Sequence, residues 1–372
     1  MSTPFAPTSA FGRDTAVREL LRPLEPFFTM DGVTEVVVNR PGEVLYEQGA
    51  QWVREEVATL PLERLFGLAR AIATYSEQDI GPRTPILSAV LPDGQRIQIM
   101  VPPAVEAGHI SLSIRLPSST IRSLEAYKED GAFDRFVWPT SRELAQRCKD
   151  LSELDRGLIE SLRTRDLAGF LNAAVRERRN IAVVGDTGSG KTTLMKTLCQ
   201  HIPVQERIIT IEDVRELSLP LHGNVAHLLY SKGGQGVAEV APADLIAASM
   251  RMRPDRVLLA ELRGSEAFDF LKLLTTGHSG SITSYHAESC ALAFERYVLM
   301  AKEHPDAAIF DAEGLKRLVR LTIDIIVHMR AESEPMSTGG ARRHRFISEV
   351  HFDPVARLRD QFEDHVILRG AA

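Results

Sequence analysis

The chain has 372 residues, 44% hydrophobic and 25% charged, with 44 basic against 50 acidic side chains and a net charge of −6. That length exceeds one ordinary core, so two domains are expected, and the composition is that of a globular chain and not a disordered one. The acidic balance gives no general drive toward nucleic acid, no stretch is apolar enough to span a bilayer, and three scattered cysteines, Cys148, Cys199 and Cys290, argue against a zinc site and fit a reducing compartment.

Residues 1–13 are rich in Pro, Ser and Thr and are expected to be loose; they lack the basic and apolar regions of a signal peptide. A cytoplasmic location is expected, with any membrane association peripheral. Asp14 is placed to cap a helix carrying Val17, Leu20, Leu21 and Leu24 on one face. "VTEVVVNRPGEVLYEQ" reads as two strands around Arg40-Pro41-Gly42, and "LERLFGLARAIATY" as a helix. "ILSAVLPDGQRIQIMVPP" and "HISLSIRL" alternate as strands do, which completes an α+β domain over residues 1–117. Residues 118–165 are charged and poor in core-like positions, and read as a long, partly helical linker, with Phe136 and Trp138 beside Pro139 either a surface anchor or an ordinary packed corner. From 166 to 372 short apolar strands alternate with helices, the pattern of a parallel sheet covered on both faces. Near the end, "TIDIIVHM" and "HRFISEVHF" flank a polar stretch and read as a hairpin with a mobile tip.

"GDTGSGKTT", Gly185 to Thr193, follows the strand "NIAVVG" and opens a helix, the context a Walker A loop requires. Its glycines let the backbone of Asp186, Thr187, Gly188, Ser189 and Gly190 curl so that N–H groups point at phosphate oxygens, and the helix N-terminus adds partial positive charge. Lys191 is placed to reach the β- and γ-phosphates of ATP, and the Thr192 hydroxyl to ligate Mg²⁺. Two further strands end in acids: "TIEDVREL" places Glu212 and Asp213, and "LLAELRG" places Glu261 beside Arg263. Strand ends of a parallel sheet meet at the phosphate-loop edge, so Glu212 and Glu261 are candidates to hold Mg²⁺ or orient the attacking water. "TTGHSGSITSYHAES" sets His278 and His286 among small residues, as groups facing a γ-phosphate.

Taken in order, the Walker A loop, "TIEDVREL", "LLAELRG" and "GHSGSITSYHA" resemble the secretion traffic ATPases, the ring motors of type II secretion, type IV secretion and type IV pili. Within them the chain is most similar to the VirB-type branch of type IV secretion. It lacks the Asp-Pro-Ile-Glu continuation and the four-cysteine module of other branches, and its first domain is compact, ending in "SLSIRLPS". The resemblance implies an α/β fold: a RecA-like P-loop motor with a parallel-rich sheet, preceded by a smaller α+β N-terminal domain. It implies that Arg96 and Arg115 turn toward the nucleotide, that Arg263 joins the site, and that the working unit is a homohexamer. From the length of 118–165, N-terminal domains exchanged between neighbours are expected. The implied partners are inner-membrane secretion channel proteins, a second secretion ATPase and a coupling protein, with the motor on the cytoplasmic side of the inner membrane. A RecA-like nucleic-acid translocase and a pilus motor of the same superfamily stand as alternatives, the first opposed by the −6 charge and the lack of a basic, aromatic groove.

Overall fold

The computed structural model describes residue 12 and residues 14–49, 51–117, 121–230, 240–335 and 341–362. They fall into two compact units, one built mainly from the first 119 residues and the other from most of the remainder. The expected loose start and the tip of the late hairpin lie, apart from residue 12, outside the described residues.

The first unit carries α1 (Thr15–Leu21), α2 (Glu25–Phe28) and α3 (Leu62–Tyr75) beside a six-stranded sheet. Its strands are β1 (Val33–Val38), β2 (Glu43–Gln48), β3 (Gln51–Glu56), β4 (Ile86–Val90), β5 (Arg96–Met100) and β6 (Ser111–Arg115), in the order β3-β2-β1-β6-β5-β4, with antiparallel neighbours. Alternation decides which side is wet. Ile97 and Ile99 of β5 and Leu112 and Ile114 of β6 enter one core with Leu65, Leu68 and Ile72 of α3, and the residues between them face away. Asp14 precedes α1 but makes no capping bond; its carboxylate takes the Arg18 guanidinium at 2.6 Å instead. Strand β3 was not anticipated, because every one of its residues is exposed and no apolar alternation marks it.

The second unit begins with α4 (Leu124–Glu129), α5 (Arg142–Arg147), α6 (Glu153–Arg163) and α7 (Leu167–Arg176). Then follow β7 (Ile181–Gly185), α8 (Lys191–Cys199), β8 (Ile208–Glu212), β9 (Val225–Leu229), α9 (Pro242–Ser249), β10 (Arg256–Leu259), α10 (Glu266–Thr275) and β11 (Ile282–Tyr285). The chain closes with α11 (Cys290–Lys302), α12 (Ala312–Thr322), β12 (Ile325–Pro335), β13 (Ala341–His351) and α13 (Pro354–Phe362). The sheet runs β13-β12-β7-β11-β10-β8-β9, and every pair from β12 to β9 is parallel. Both faces are covered: Val183 and Leu258 pack toward α7 and α8, while Val184 and Leu259 pack toward α10, α11 and α12. Continuous apolar runs such as "IAVVG" therefore form strands buried on both sides.

Residues 121–165 are not the linker the sequence suggested. Leu124, Tyr127, Phe133, Phe136, Leu144, Leu158, Ile159 and Leu162 are buried in the same core as Phe170 and Leu194. Ser123, Ser141 and Ser152 cap α4, α5 and α6 through their hydroxyls. The charged residues of this stretch lie on the wet faces of short helices, so its composition hid a narrow apolar stripe. This stretch is folded into the second unit's core and is not free tether.

Candidate active site

Strand order builds the site. In sequence the strands come as β7, β8, β10, β11, but in space β11 lies directly against β7, then β10, then β8. The C-terminal ends thus set the phosphate loop, His286, Glu261 and Asp213 side by side along one edge.

The loop between β7 and α8 is tightly curled. Gly185 has φ +145°, and a Cβ there would stand 2.2 Å from Met329 O on β12. Gly190, φ +98°, turns the chain into α8 from the left-handed region, where a side chain is strained. Thr192 and Thr193 lie in the first turn of α8, beside the N-terminal N–H groups. Lys191 is buried, its ammonium donating at 2.8 Å to both Gly185 O and Asp186 O. Asp186 O also accepts from Ser189 Oγ at 2.8 Å and Ser189 N–H at 3.2 Å. Three donors converge on one carbonyl, an array suited to a phosphate oxygen.

A polar chain leads away from Lys191. Its Nζ lies 3.5 Å from His286 Nδ1, and His286 Nε2 lies 3.2 Å from Glu261 Oε1. Arg263 Nε donates to Glu261 Oε2 at 2.8 Å, and its Nη2 reaches Asp213 Oδ2 at 3.2 Å. Burial and the neighbouring Lys191 hold His286 below the usual imidazole range, against the pull of Glu261. These neighbours assign the neutral ring, with Nδ1 facing the ammonium and Nε2–H donating to the carboxylate. Burial alone would lower Arg263, but Glu261 and Asp213 outweigh it and raise it.

Two expected members stand elsewhere. Glu212 is fully buried, and its oxygens are taken: Oε1 accepts from Thr210 Oγ1 at 2.8 Å, and Oε2 from the N–H groups of Glu216 and Leu217 at 2.8 Å each. It folds back to fasten its own turn, and Asp213, the next residue, takes the place along the edge that was expected for it. His278 precedes β11 and His286 follows it, with four strand residues at about 3.3 Å each between them. His278 therefore lies at the opposite edge, where Asn180 Oδ1 accepts from Gly280 N–H and Ser281 N–H.

Arg96 and Arg115 belong to the first unit, directly opposite each other on β5 and β6, with Glu35 opposite Arg115 on β1. Opposed residues share a face, so the two arginines stand together on the side away from the core. Sequence reading gave Arg345 of β13 no place at the loop, since the basic run "ARRHR" that holds it reads as a solvated face or a lipid contact; its Nε donates to Gly188 O at 2.9 Å.

A family model described as Type II/IV secretion system protein matches residues 22–330. The type IV secretion system protein VirB11 of Brucella suis biovar 1 is 44% identical over 348 residues, 93% of this chain and 92% of that protein. The type IV secretion system protein PtlH of Bordetella pertussis is 41% identical over 339 residues, 89% of this chain and 94% of that protein. Among solved structures, the pilus retraction motor PilT with bound ADP matches with a TM-score of 0.54 at 16% identity, over 93% of this chain and 85% of that one, a likeness of fold.

Proposed function

Because this chain belongs to the type II/IV secretion system protein family and is an ATPase of type IV secretion, we propose that ATP is split at the loop Gly185–Thr193 with Glu261 as the group that orients water. The observation that carries this reading is the unbroken polar chain Lys191–His286–Glu261–Arg263–Asp213 along one sheet edge. Loop N–H groups and Lys191 neutralise the phosphates, and His286, held neutral, sits between Lys191 and Glu261, where it senses the γ-phosphate. The Thr192 hydroxyl and the Glu261 and Asp213 carboxylates are hard oxygen donors that suit Mg²⁺, which when bound offsets charge on the phosphates. Arg96 and Arg115, paired on one face of the first unit, are the arginines that the family resemblance assigns to the nucleotide.

The working form is a homohexamer at the cytoplasmic face of the inner membrane. It is peripheral to channel proteins of the secretion machine and acts with a second ATPase and a coupling protein. Among the described residues no helix is long and apolar enough to cross a membrane. Hydrolysis measured beside sedimentation velocity, with and without ATP, tests both parts. Lys191→Ala is expected to abolish turnover while the ring persists. A variant as active as the wild type removes the site, and a monomer under every condition removes the ring.

A further inference from the structure

In a phosphate-binding loop the N–H groups turn inward, so the carbonyls of the same peptides turn outward and require partners of their own. Gly188 O finds its partner in β13, where Arg345 Nε donates to it at 2.9 Å. The stem of the same side chain packs on the loop: Arg345 Cδ lies 3.1 Å, and Met329 Cε of β12 3.4 Å, from the position a Cβ on Gly190 would take. The outer wall of the loop is thus a neighbouring strand, gripping it at Gly188 and Gly190. The inner side is closed on itself, because Asp186 O accepts from Lys191 Nζ, Ser189 Oγ and Ser189 N–H. Those are the donors a phosphate takes.

We propose that Arg345 is a positioning residue for the nucleotide: its guanidinium anchors the Gly188 carbonyl, so the Gly188–Ser189 peptide keeps its orientation. The proposal rests on reading this loop as the ATP site. Arg345 acts through the loop, and its effect falls on affinity more than on the rate of the chemical step. A bond from a charged donor is among the stronger neutral-acceptor bonds, and only one donor is needed to keep it.

The test uses the full chain, with ADP affinity by calorimetry, KM and kcat for ATP, and the melting temperature without nucleotide. Arg345→Met keeps the aliphatic stem over Gly190 and removes the donor. It is expected to weaken ADP binding and raise KM about ten-fold, with a smaller change in kcat and a modest fall in the nucleotide-free melt from the unpartnered Gly188 carbonyl. Arg345→Lys is expected to recover affinity to within about three-fold, since its ammonium, one bond beyond the Nε position, can turn back on a flexible stem to donate to the same carbonyl. Wild-type ADP affinity in Arg345→Met overturns the proposal, whether or not the melt falls, and so does a lysine variant as weak as the methionine one. Lys191→Ala in the same assay separates the two levels. If it binds ADP normally the loop is not the nucleotide site. If it loses binding while Arg345→Met does not, only the anchoring role fails.

Discussion

Glu212 and Glu261 end neighbouring strands and would be drawn alike from sequence, but their surroundings differ. Glu261 is half-buried and shares its carboxylate with His286 and Arg263. Glu212 is fully buried and serves two backbone N–H groups and a threonine. Glu261→Gln removes a group placed to orient or deprotonate water and is expected to lower kcat by about 10²–10⁴ while ADP still binds. Glu212→Ala strips two N–H groups of their acceptor and is expected to cost about 2–5 kcal/mol of stability, read by urea unfolding. A Glu212→Ala protein of wild-type stability and no turnover would return that residue to the chemistry. One signal was available in the sequence: Thr210 and Glu212 alternate onto the same side of β8, so a hydroxyl was at hand to receive the carboxylate. Nothing comparable ties Arg345 to the loop, because a basic run in a late strand has no spacing relation to a loop it meets only after folding.

At the level of elements, strands and helices in both units were legible where their periodicity and turn residues are local. "LERLFGLARAIATY" became α3 over the same residues, and "IAVVG" became β7. Strand order was not legible. β11 inserts beside β7 because the crossovers carry it there, and that placement alone brings His286 to Lys191 and leaves His278 at the far edge. Nor was the packing of 121–165. α6 buries only Leu158, Ile159 and Leu162 of its eleven residues, a stripe easily lost among Glu, Asp and Arg. If this stretch were a tether, shortening its apolar side chains would cost little. Because it is core, Leu158→Ala and Leu162→Ala are each expected to cost about 2–5 kcal/mol through lost burial and the cavity left behind. Denaturant unfolding checks this, and losses below about 0.5 kcal/mol at both sites would restore the linker reading.

For the molecule as a whole, acid is the condition to which the two units are expected to respond differently. His201, His286, His328 and His351 all lie in the second, and burial is the first cause holding each below the ordinary imidazole range. Their contacts suit neutral rings: His328 Nδ1, for instance, lies 2.5 Å from Ser348 Oγ. In the fold these groups stay neutral as pH falls through about 6.5, whereas in the unfolded chain they take up protons. The unfolded state then binds more protons, so stability is present above that pH and is lost as pH falls toward the lowered folded values. Glu35 in the first unit has the opposite sign. Burial raises its carboxyl above 4.5, against Arg115, so its contribution is present at low pH and is lost as pH rises through the folded value. Acidification from pH 7.5 to 5.5 is therefore expected to lower the melting temperature by loosening the second unit first. Residues of α7, α8 and β12 should gain hydrogen exchange before those of β5 and β6. His351→Asn, which removes a half-buried ring whose burial favours the neutral form, is expected to flatten the pH slope even if it lowers the melt at every pH. A slope unchanged by that substitution would place the acid sensitivity outside these histidines.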